Sequence, residues 1–426
     1  MIVGLVAFFQ ITAADSLPRI TLAEALQRSA KVDPSFAAAT GAVDYAEWGR
    51  RAAWSAFVLP SVTASTDASK FSTPTFNLGT GQPQDVAVNA RLDASYDLLI
   101  PGRKLAELSR SRASLDSARA SEVQARFDVA YRTESDYYQV LANQELDRVA
   151  HERVRRAEEQ LVVARARVIS GAAVATDSLQ LVLELSRARV EQLRQGAALR
   201  ISRLQLGRRV GLDGPVQAEP LPTLPPGELP LTLRQAIASA RATGPRYVAA
   251  RATEDAADAS VRAERSSYLP QLTLSATTAA FDKDFFPRAT TRSWLTLQAT
   301  LPIWNNGQRE LALEAAQVSR NVAQALRRDA ERGVQRDVTE AYENYSTARA
   351  TTLLSSDAVV VAKENFRVQE TRYRAGATTI LDLLAAQIRL AEAEADLVQS
   401  RYSARLALAG LEAILGRRIF NDRSSP

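Results

Sequence analysis

The segment Tyr373–Gln387, YRAGATTILDLLAAQ, separates two long helical patterns and decides the fold. A heptad-rich segment ends just before Ala375–Ala377, where the central glycine breaks the helix because glycine adopts turn conformations that other residues avoid. Thr378 or Thr379 can cap a new helix, which carries Asp382 in its first turn. A second apolar-periodic segment follows. The stretch therefore predicts the tip of a long helical hairpin.

The same order of features occurs a second time upstream, in Ser170–Leu179, SGAAVATDSL. Gly171 corresponds to Gly376 and Asp177 to Asp382, and both pairs are 205 residues apart. A constant separation of similar segments is the sign of an internal duplication. The chain is therefore predicted to contain two structural repeats.

The predicted repeats cover residues 15–211 and 231–418. Prolines at positions 215, 220, 222, 225, 226 and 230 predict an extended linker over 212–230, and residues 419–426 are a short tail. Residues 1–14 are an apolar run that ends in small residues, which is typical of a secretory signal peptide; a disordered apolar tail is the alternative. The run lacks the usual basic start, which leaves the true start of translation open.

Four extended segments predict two β-hairpins, one in each repeat. Apolar and polar residues alternate over 85–98, 271–277 and 295–303, and residues 61–70 form a weaker fourth strand. Each is about ten residues or slightly longer, the length of a tilted strand that crosses a bilayer. The membrane strands are assigned to about 58–100 and 269–303.

Polar loops at 72–84 and 282–291 join these strands in pairs, which leaves two interpretations. Four strands cannot close a barrel, for which about eight are needed. Unpaired strand edges in lipid are prohibitively costly, so membrane strands require the chain to oligomerise. The alternative is a pair of soluble hairpins packed on helices. The long alternation over 85–98 favours the membrane interpretation.

In both repeats, predicted helices precede and follow the hairpin in the sequence. A short helix begins near Thr21, with Glu24 at the spacing of a capping box, and the sequence at 231–237 repeats it. Each hairpin leads through a glycine turn, the first at Pro101-Gly102-Arg103, into a proline-free segment. These segments, 103–169 and 308–374, predict helices that each span roughly 100 Å at the usual rise per residue.

Composition excludes several classes of function. The chain has 53 basic and 48 acidic residues, and its arginines alternate with acids along helices, which indicates solvated helix faces and argues against nucleic-acid binding. It has no cysteine and one histidine, His151, which is predicted to be a surface residue. With no phosphate-binding glycine loop either, we expect no enzyme, no metal site and no cofactor.

The arrangement resembles the TolC-like outer membrane efflux protein family over residues 22–416. The duplicated order of elements carries the resemblance, together with LPIWNNGQR at 301–309 and the segment at 373–387. The resemblance implies a mixed α/β membrane protein that forms a homotrimer. Three chains would supply four strands each to a twelve-stranded β-barrel in the outer membrane, continued by a long α-helical coiled-coil barrel in the periplasm.

The resemblance also implies the function. The protein is expected to be the passive exit duct of a tripartite efflux or type I secretion system, lying among outer membrane lipids and reaching into the periplasm. Its expected partners are a periplasmic adaptor protein and an inner-membrane transporter. A soluble coiled-coil scaffold is the alternative. The exported substrate, whether drug, metal ion or protein, cannot be read from the sequence.

The family's periplasmic constriction maps by resemblance onto four residues, Tyr373, Asp382, Asp177 and Thr378. Thr378 stands where relatives can carry a basic residue, and Ala385 where they can carry a second aspartate, so this chain departs from the pattern at both positions. The simpler interpretation of Asp177 and Asp382 is stabilisation of a helix start. The hairpin tips that are expected to dock the adaptor are Gly171, Ala172, Gly376 and Ala377.

Overall fold

A computed structural model describes residues 17–77, 81–99, 103–221, 227–282 and 290–420. The predicted signal peptide, three of the linker prolines, the first glycine turn before Arg103 and the tail beyond residue 420 lie outside these ranges. The elements, in chain order, are β1 (Arg19–Ile20), α1 (Leu22–Val32), α2 (Pro34–Val58), β2 (Ser61–Asn77), β3 (Gln82–Leu99), α3 (Arg103–Ile169), α4 (Ala175–Arg209), β4 (Gln217–Ala218), α5 (Leu233–Thr243), α6 (Pro245–Ser266), β5 (Gln271–Asp282), β6 (Thr290–Thr300), α7 (Gln308–Arg374) and α8 (Ile380–Leu415).

The chain divides into two compact units. The helical unit comprises Met1–Ala38, Val123–Gly244 and Val334–Pro426, and the sheet unit comprises Ala39–Glu122 and Pro245–Gly333. Of the helices that the structure describes, none is both long enough and apolar enough to cross a bilayer.

The sheet unit contains one antiparallel sheet with the strand order β2-β3-β5-β6. The two predicted hairpins are therefore present, and they pair with each other through β3 and β5. Both loops are shorter than expected because the strands extend into them; residues 78–80 and 283–289 lie outside the described ranges. The edge strands of this sheet, β2 and β6, each pair with another strand on one side only.

Proline accounts for two of the differences between the predicted and the observed strand ends. Strand β2 continues past residue 70 to Asn77, with a shift of register between Lys70 and Thr75. Pro74 lies in this shift, where a missing N–H group is tolerated. Strand β6 ends at Thr300, although alternation was expected to carry it to Ile303. Pro302 cannot donate to the ladder, so the strand ends before it.

The register of the sheet separates an apolar face from a polar face. Paired residues point to the same side of a sheet, so each cross-strand row belongs to one face. The apolar face carries Val62, Val88, Leu92, Leu274 and Leu297. The polar face carries Asn89, Arg91, Asp93, Thr277 and Gln298.

The helical unit packs the later halves of α3 and α7 with their return helices α4 and α8. The bounds of both long helices agree with the sequence prediction. One buried cluster joins Tyr137 and Leu141 of α3 with Leu206 of α4, and a second lies beside the hairpin tips. Residues three or four positions apart on each helix form these clusters, as heptad-like spacing predicts.

The linker is held to the helical unit by tyrosine hydroxyl groups. The Tyr137 hydroxyl lies 3.2 Å from the Ile20 carbonyl oxygen and 2.7 Å from that of Glu219, where β1 and β4 pair in parallel. Burial raises the pKa of Tyr137 to about 12, so it remains a donor. Tyr345 donates to the Gly227 carbonyl at 2.6 Å.

The capping box expected near Thr21 is only half formed. Thr21 Oγ1 accepts from the Glu24 N–H group at 3.2 Å, but the Glu24 carboxylate pairs with Arg28 at 2.7 Å instead of returning to the cap. In the second repeat Thr232 and Gln235 close both bonds of the box. A glutamate four residues before an arginine forms an ion pair on a helix. Here that ion pair competes with the cap for the Glu24 carboxylate.

Candidate functional site

The first hairpin tip ends helix α3 with a Schellman cap. Gly171 has a φ of +74°, a conformation that disfavours any side chain. Its N–H group donates to the Val168 carbonyl at 3.1 Å, and the Ala172 N–H group donates to Arg167 at 2.8 Å. These two bonds satisfy carbonyls that the end of a helix leaves open. Glycine is therefore required for the reversal.

The second tip repeats this geometry. Gly376 has a φ of +75°, and its N–H group donates to the Tyr373 carbonyl at 3.0 Å. The Ala377 N–H group donates to Arg372 at 2.8 Å. The tip residues identified from the sequence thus form two copies of one local structure.

The starts of the two return helices differ. Helix α8 has a complete capping box between Thr379 and Asp382, which decides between the two predicted caps. Thr378 adds a bond of 2.9 Å to the same carboxylate oxygen. The bonds from Thr379 and Thr378 hold the pKa of Asp382 below its usual value. At the start of α4, Val174 supplies no side-chain cap, so Asp177 is not held in this way.

Tyr373 joins the second tip to the first. Tyr373 is 2% exposed, and its hydroxyl group lies 3.5 Å from Asp177 Oδ2, at the long end of a hydrogen bond. Burial, followed by the negative charge of Asp177, raises the pKa of Tyr373. The tyrosine therefore stays protonated and donates to the aspartate at neutral pH. The structure brings together these two predicted residues, whereas Asp382 and Thr378 bond only within their own tip.

Arg167 completes the contact and was not identified from the sequence. Its guanidinium group donates to the Tyr373 carbonyl and, at 3.1 Å, to the Ala172 carbonyl. The same group lies 4.7 Å from the centre of the Tyr373 ring. The sequence did contain a signal for Arg167: both repeats carry an arginine in the last helical turn before the glycine tip, and Arg372 occupies the corresponding position in the second repeat.

An apolar cluster supports this polar contact. Tyr373 packs with Phe366 of its own helix and with neighbours from the other three helices: Leu161, Ala164, Leu181, Ile380, Leu383, Ala386 and Leu390. Burial of these side chains fixes the position of the ring and directs its hydroxyl group to Asp177. We call Tyr373, Asp177 and Arg167 the tip contact.

The tip contact offers hydrogen bonds and charge rather than catalytic groups. Within the described parts of the chain, no group of three or more histidine, cysteine or acidic residues could hold a metal ion. His151 is exposed on α3, and its Nδ1 atom lies 2.8 Å from the Asp147 carbonyl oxygen. The arrangement can hold two hairpins together and place carboxylates beside them.

Comparison with known proteins identifies the family. The family model described as outer membrane efflux protein matches residues 21–212 and 236–417. The pyoverdine export outer membrane protein OpmQ of Pseudomonas putida is 27% identical over 377 residues, covering 84% of this chain and 76% of that protein. Outer membrane protein TolC of Escherichia coli is 25% identical over 180 residues, covering 39% of this chain and 36% of TolC.

Solved structures share the fold. The outer membrane channel CmeC of Campylobacter jejuni superimposes with a TM-score of 0.81 at 15% identity, covering 95% of this chain and 87% of CmeC. The open-state outer membrane channel MtrE of Neisseria gonorrhoeae gives a TM-score of 0.77 at 20% identity, covering 95% of this chain and 91% of MtrE. The predicted mixed helical and sheet fold is thus that of known efflux channels.

These matches confirm the predicted resemblance, the outer membrane location with a periplasmic extension, and the function as a channel of a tripartite efflux system. The alternative of a soluble coiled-coil scaffold is wrong. The family consists of channel proteins rather than enzymes. The matched segments cover nearly all of both halves of the sequence, and the chain belongs to the outer membrane efflux protein family.

Proposed function

We propose that three copies of this chain form one outer membrane duct, in which four strands from each copy make a twelve-stranded barrel. The observation that carries the proposal is the open sheet, with unpaired edges at β2 and β6. Strand directions alternate along β2-β3-β5-β6, so β6 of one copy can pair antiparallel with β2 of the next. Closure removes every edge from lipid.

In this duct the strand regions, about 58–100 and 269–303, cross the outer membrane, and the remaining parts of both repeats form the periplasmic helical barrel. The apolar face of the sheet meets lipid and the polar face lines the pore, because the reverse orientation would bury the charges of Arg91 and Asp93 in hydrocarbon. Residues 1–14 serve as the signal peptide. The inner-membrane transporter supplies the energy for export, and the duct supplies a water-filled path.

The tip contact is the proposed periplasmic gate. Tyr373 and Asp177 hold the two hairpins together, and Asp382 with Thr378 adds a second carboxylate at the narrow end. A hydrogen bond of this length contributes about 1 kcal/mol net, so three copies hold a closed end that an adaptor can open. Gly171, Ala172, Gly376 and Ala377 form the docking tips for that adaptor. The relative that exports pyoverdine makes small organic molecules the first cargo to test.

Trimer formation is tested by electrophoresis of the purified outer membrane fraction without heating. We expect a band at three times the mass of the chain that collapses to the monomer on boiling, and single channels in a planar bilayer. A monomer in the unheated sample, or a protein recovered only from the soluble fraction, contradicts the proposal.

A further inference from the structure

Two arginines lie on the polar face of the sheet with one small residue between them. The register pairs Arg91 of β3 with Ala279 of β5, and Ala279 with Arg292 of β6. The two arginine backbones are thus two strands apart, about 9.5 Å. Ala279 carries only a methyl group and is 2% exposed. Both long side chains can therefore reach over it.

The next row on the same face adds an aromatic ring. It pairs Asp93, Thr277 and Trp294 in strand order. The guanidinium carbon of Arg91 lies 5.8 Å from the centre of the Trp294 ring, within the range of a cation–π contact. Trp294 is 37% exposed, which leaves part of the residue open to a second planar group.

Two guanidinium groups and one carboxylate lie in these two rows, and Asp67 lies in the next row, where it accepts from Asn89. Arg91 Nε lies 3.8 Å from Asp93 Oδ2, a loose pair, while the other carboxylate oxygen accepts from Thr277 at 2.6 Å. Arg292 makes no ion pair in the described part of the sheet and is exposed. Asp93 is two strands and one row away from Arg292, a backbone separation of about 12 Å.

We propose that Arg91, Arg292 and Trp294 form a binding site for planar aromatic anions on the pore face of the barrel. The guanidinium forks bind a carboxylate or sulfonate group bidentately over Ala279, and the indole stacks on the aromatic part of the solute. The inference rests on the proposed function, because it requires the polar face to line the pore. In a trimer three such sites stand at one level, and they favour organic anions over organic cations.

The test is current block in a planar bilayer with naphthalenesulfonate added on the extracellular side. Wild-type channels are expected to be blocked at low probe concentration. R91Q/R292Q should raise the half-blocking concentration by about tenfold, since two charge-assisted contacts are lost. Naphthylmethylamine, the cationic analogue, should block the wild type only weakly, and the double variant should not reduce that block.

Lys70→Gln is the matched control, because it removes a positive charge from the apolar face of the same sheet. It should leave the block unchanged. Because Arg292 has no ion-pair partner in the described sheet, Arg292→Gln alone tests the site if the double variant fails to form channels. Equal block of wild type and Arg292→Gln, with normal open conductance, overturns the site and leaves the proposed duct intact. Absence of any wild-type channel overturns the duct itself.

Discussion

Tyr373 connects two segments that are 196 residues apart in the chain. The resemblance assigns Tyr373 a role at the hairpin tip. The structure places its hydroxyl group 3.5 Å from Asp177 Oδ2 of the other hairpin. Neither this pairing nor the contact with Arg167 is readable from local sequence, because each depends on how the two hairpins pack sideways.

Replacing Tyr373 with phenylalanine isolates the hydroxyl group. The ring keeps its place in the apolar cluster, while the bond to Asp177 is lost. We expect Tyr373→Phe to raise single-channel conductance in a planar bilayer and to leave the heat resistance of the trimer unchanged. Tyr345→Phe, which removes a hydroxyl bond to the linker, is the control for conductance. Loss of the trimer without a change in conductance would assign Tyr373 to packing alone.

Asp382→Asn tests the charge at the narrow end. Asparagine can keep the cap, because its amide oxygen can accept from the Thr379 N–H group, so only the charge is removed. We expect lower cation selectivity, measured as the reversal potential in a salt gradient. If selectivity does not change, Asp382 serves only the helix start.

The pH dependence of wild-type selectivity gives a second measurement. Hydrogen bonds from Thr379 and Thr378 lower the pKa of Asp382 below its ordinary value of 3.8. A lowered pKa means that the carboxylate stays charged above pH 3.8 and loses its charge as pH falls through the lower value. Cation selectivity should accordingly persist on acidification to about pH 4.

At the scale of elements, the sequence predicted helices better than strands. Glycine tips and proline-free heptads determine both ends of α3 and α7. Strand ends depend on pairing as well as alternation, so the bulge at Pro74 and the early end of β6 were missed. The faces of the strands were predictable, because alternation alone assigns them.

The two faces of the sheet give a paired test. Leu92 is 50% exposed on the apolar face, and Gln298 lies on the polar face. Leu92→Arg should destabilise the barrel by roughly 2–4 kcal/mol near the bilayer midplane, whereas Gln298→Arg should be much milder. The measurement is the temperature at which the trimer band disappears when samples are heated stepwise before electrophoresis. Equal loss from both variants would contradict the assignment of the lipid face.

At the scale of the whole molecule, the open edges of the sheet explain why one chain is insufficient. Both edge strands are long, and the bulge with Pro74 affects only the last part of β2, which leaves Ser61–Lys70 and all of β6 open to pairing. Sequence reasoning could count four strands and infer oligomerisation, but it could not establish which strands lie at the edges. The order β2-β3-β5-β6 identifies β2 and β6 as the strands that must meet between copies.

Chemical cross-linking tests this meeting directly, because the chain contains no cysteine of its own. Ser65→Cys on β2 and Thr296→Cys on β6, combined in one chain, lie three strands and two rows apart on the polar face, about 20 Å. In a closed trimer each should lie nearer to its counterpart on the neighbouring copy. A short bismaleimide in isolated outer membranes should therefore produce covalent dimers and trimers on a denaturing gel.

The matched control places both cysteines on strands that already pair within one chain. Ser95 and Ser275 are register partners on β3 and β5, so Ser95→Cys with Ser275→Cys should cross-link internally and run as a monomer. Dimers and trimers from the edge pair together with monomers from the inner pair support closure by β6 against β2. Monomers from both pairs would show that the edges are not neighbours, and the twelve-stranded barrel would have to be abandoned even though the family and its location stand.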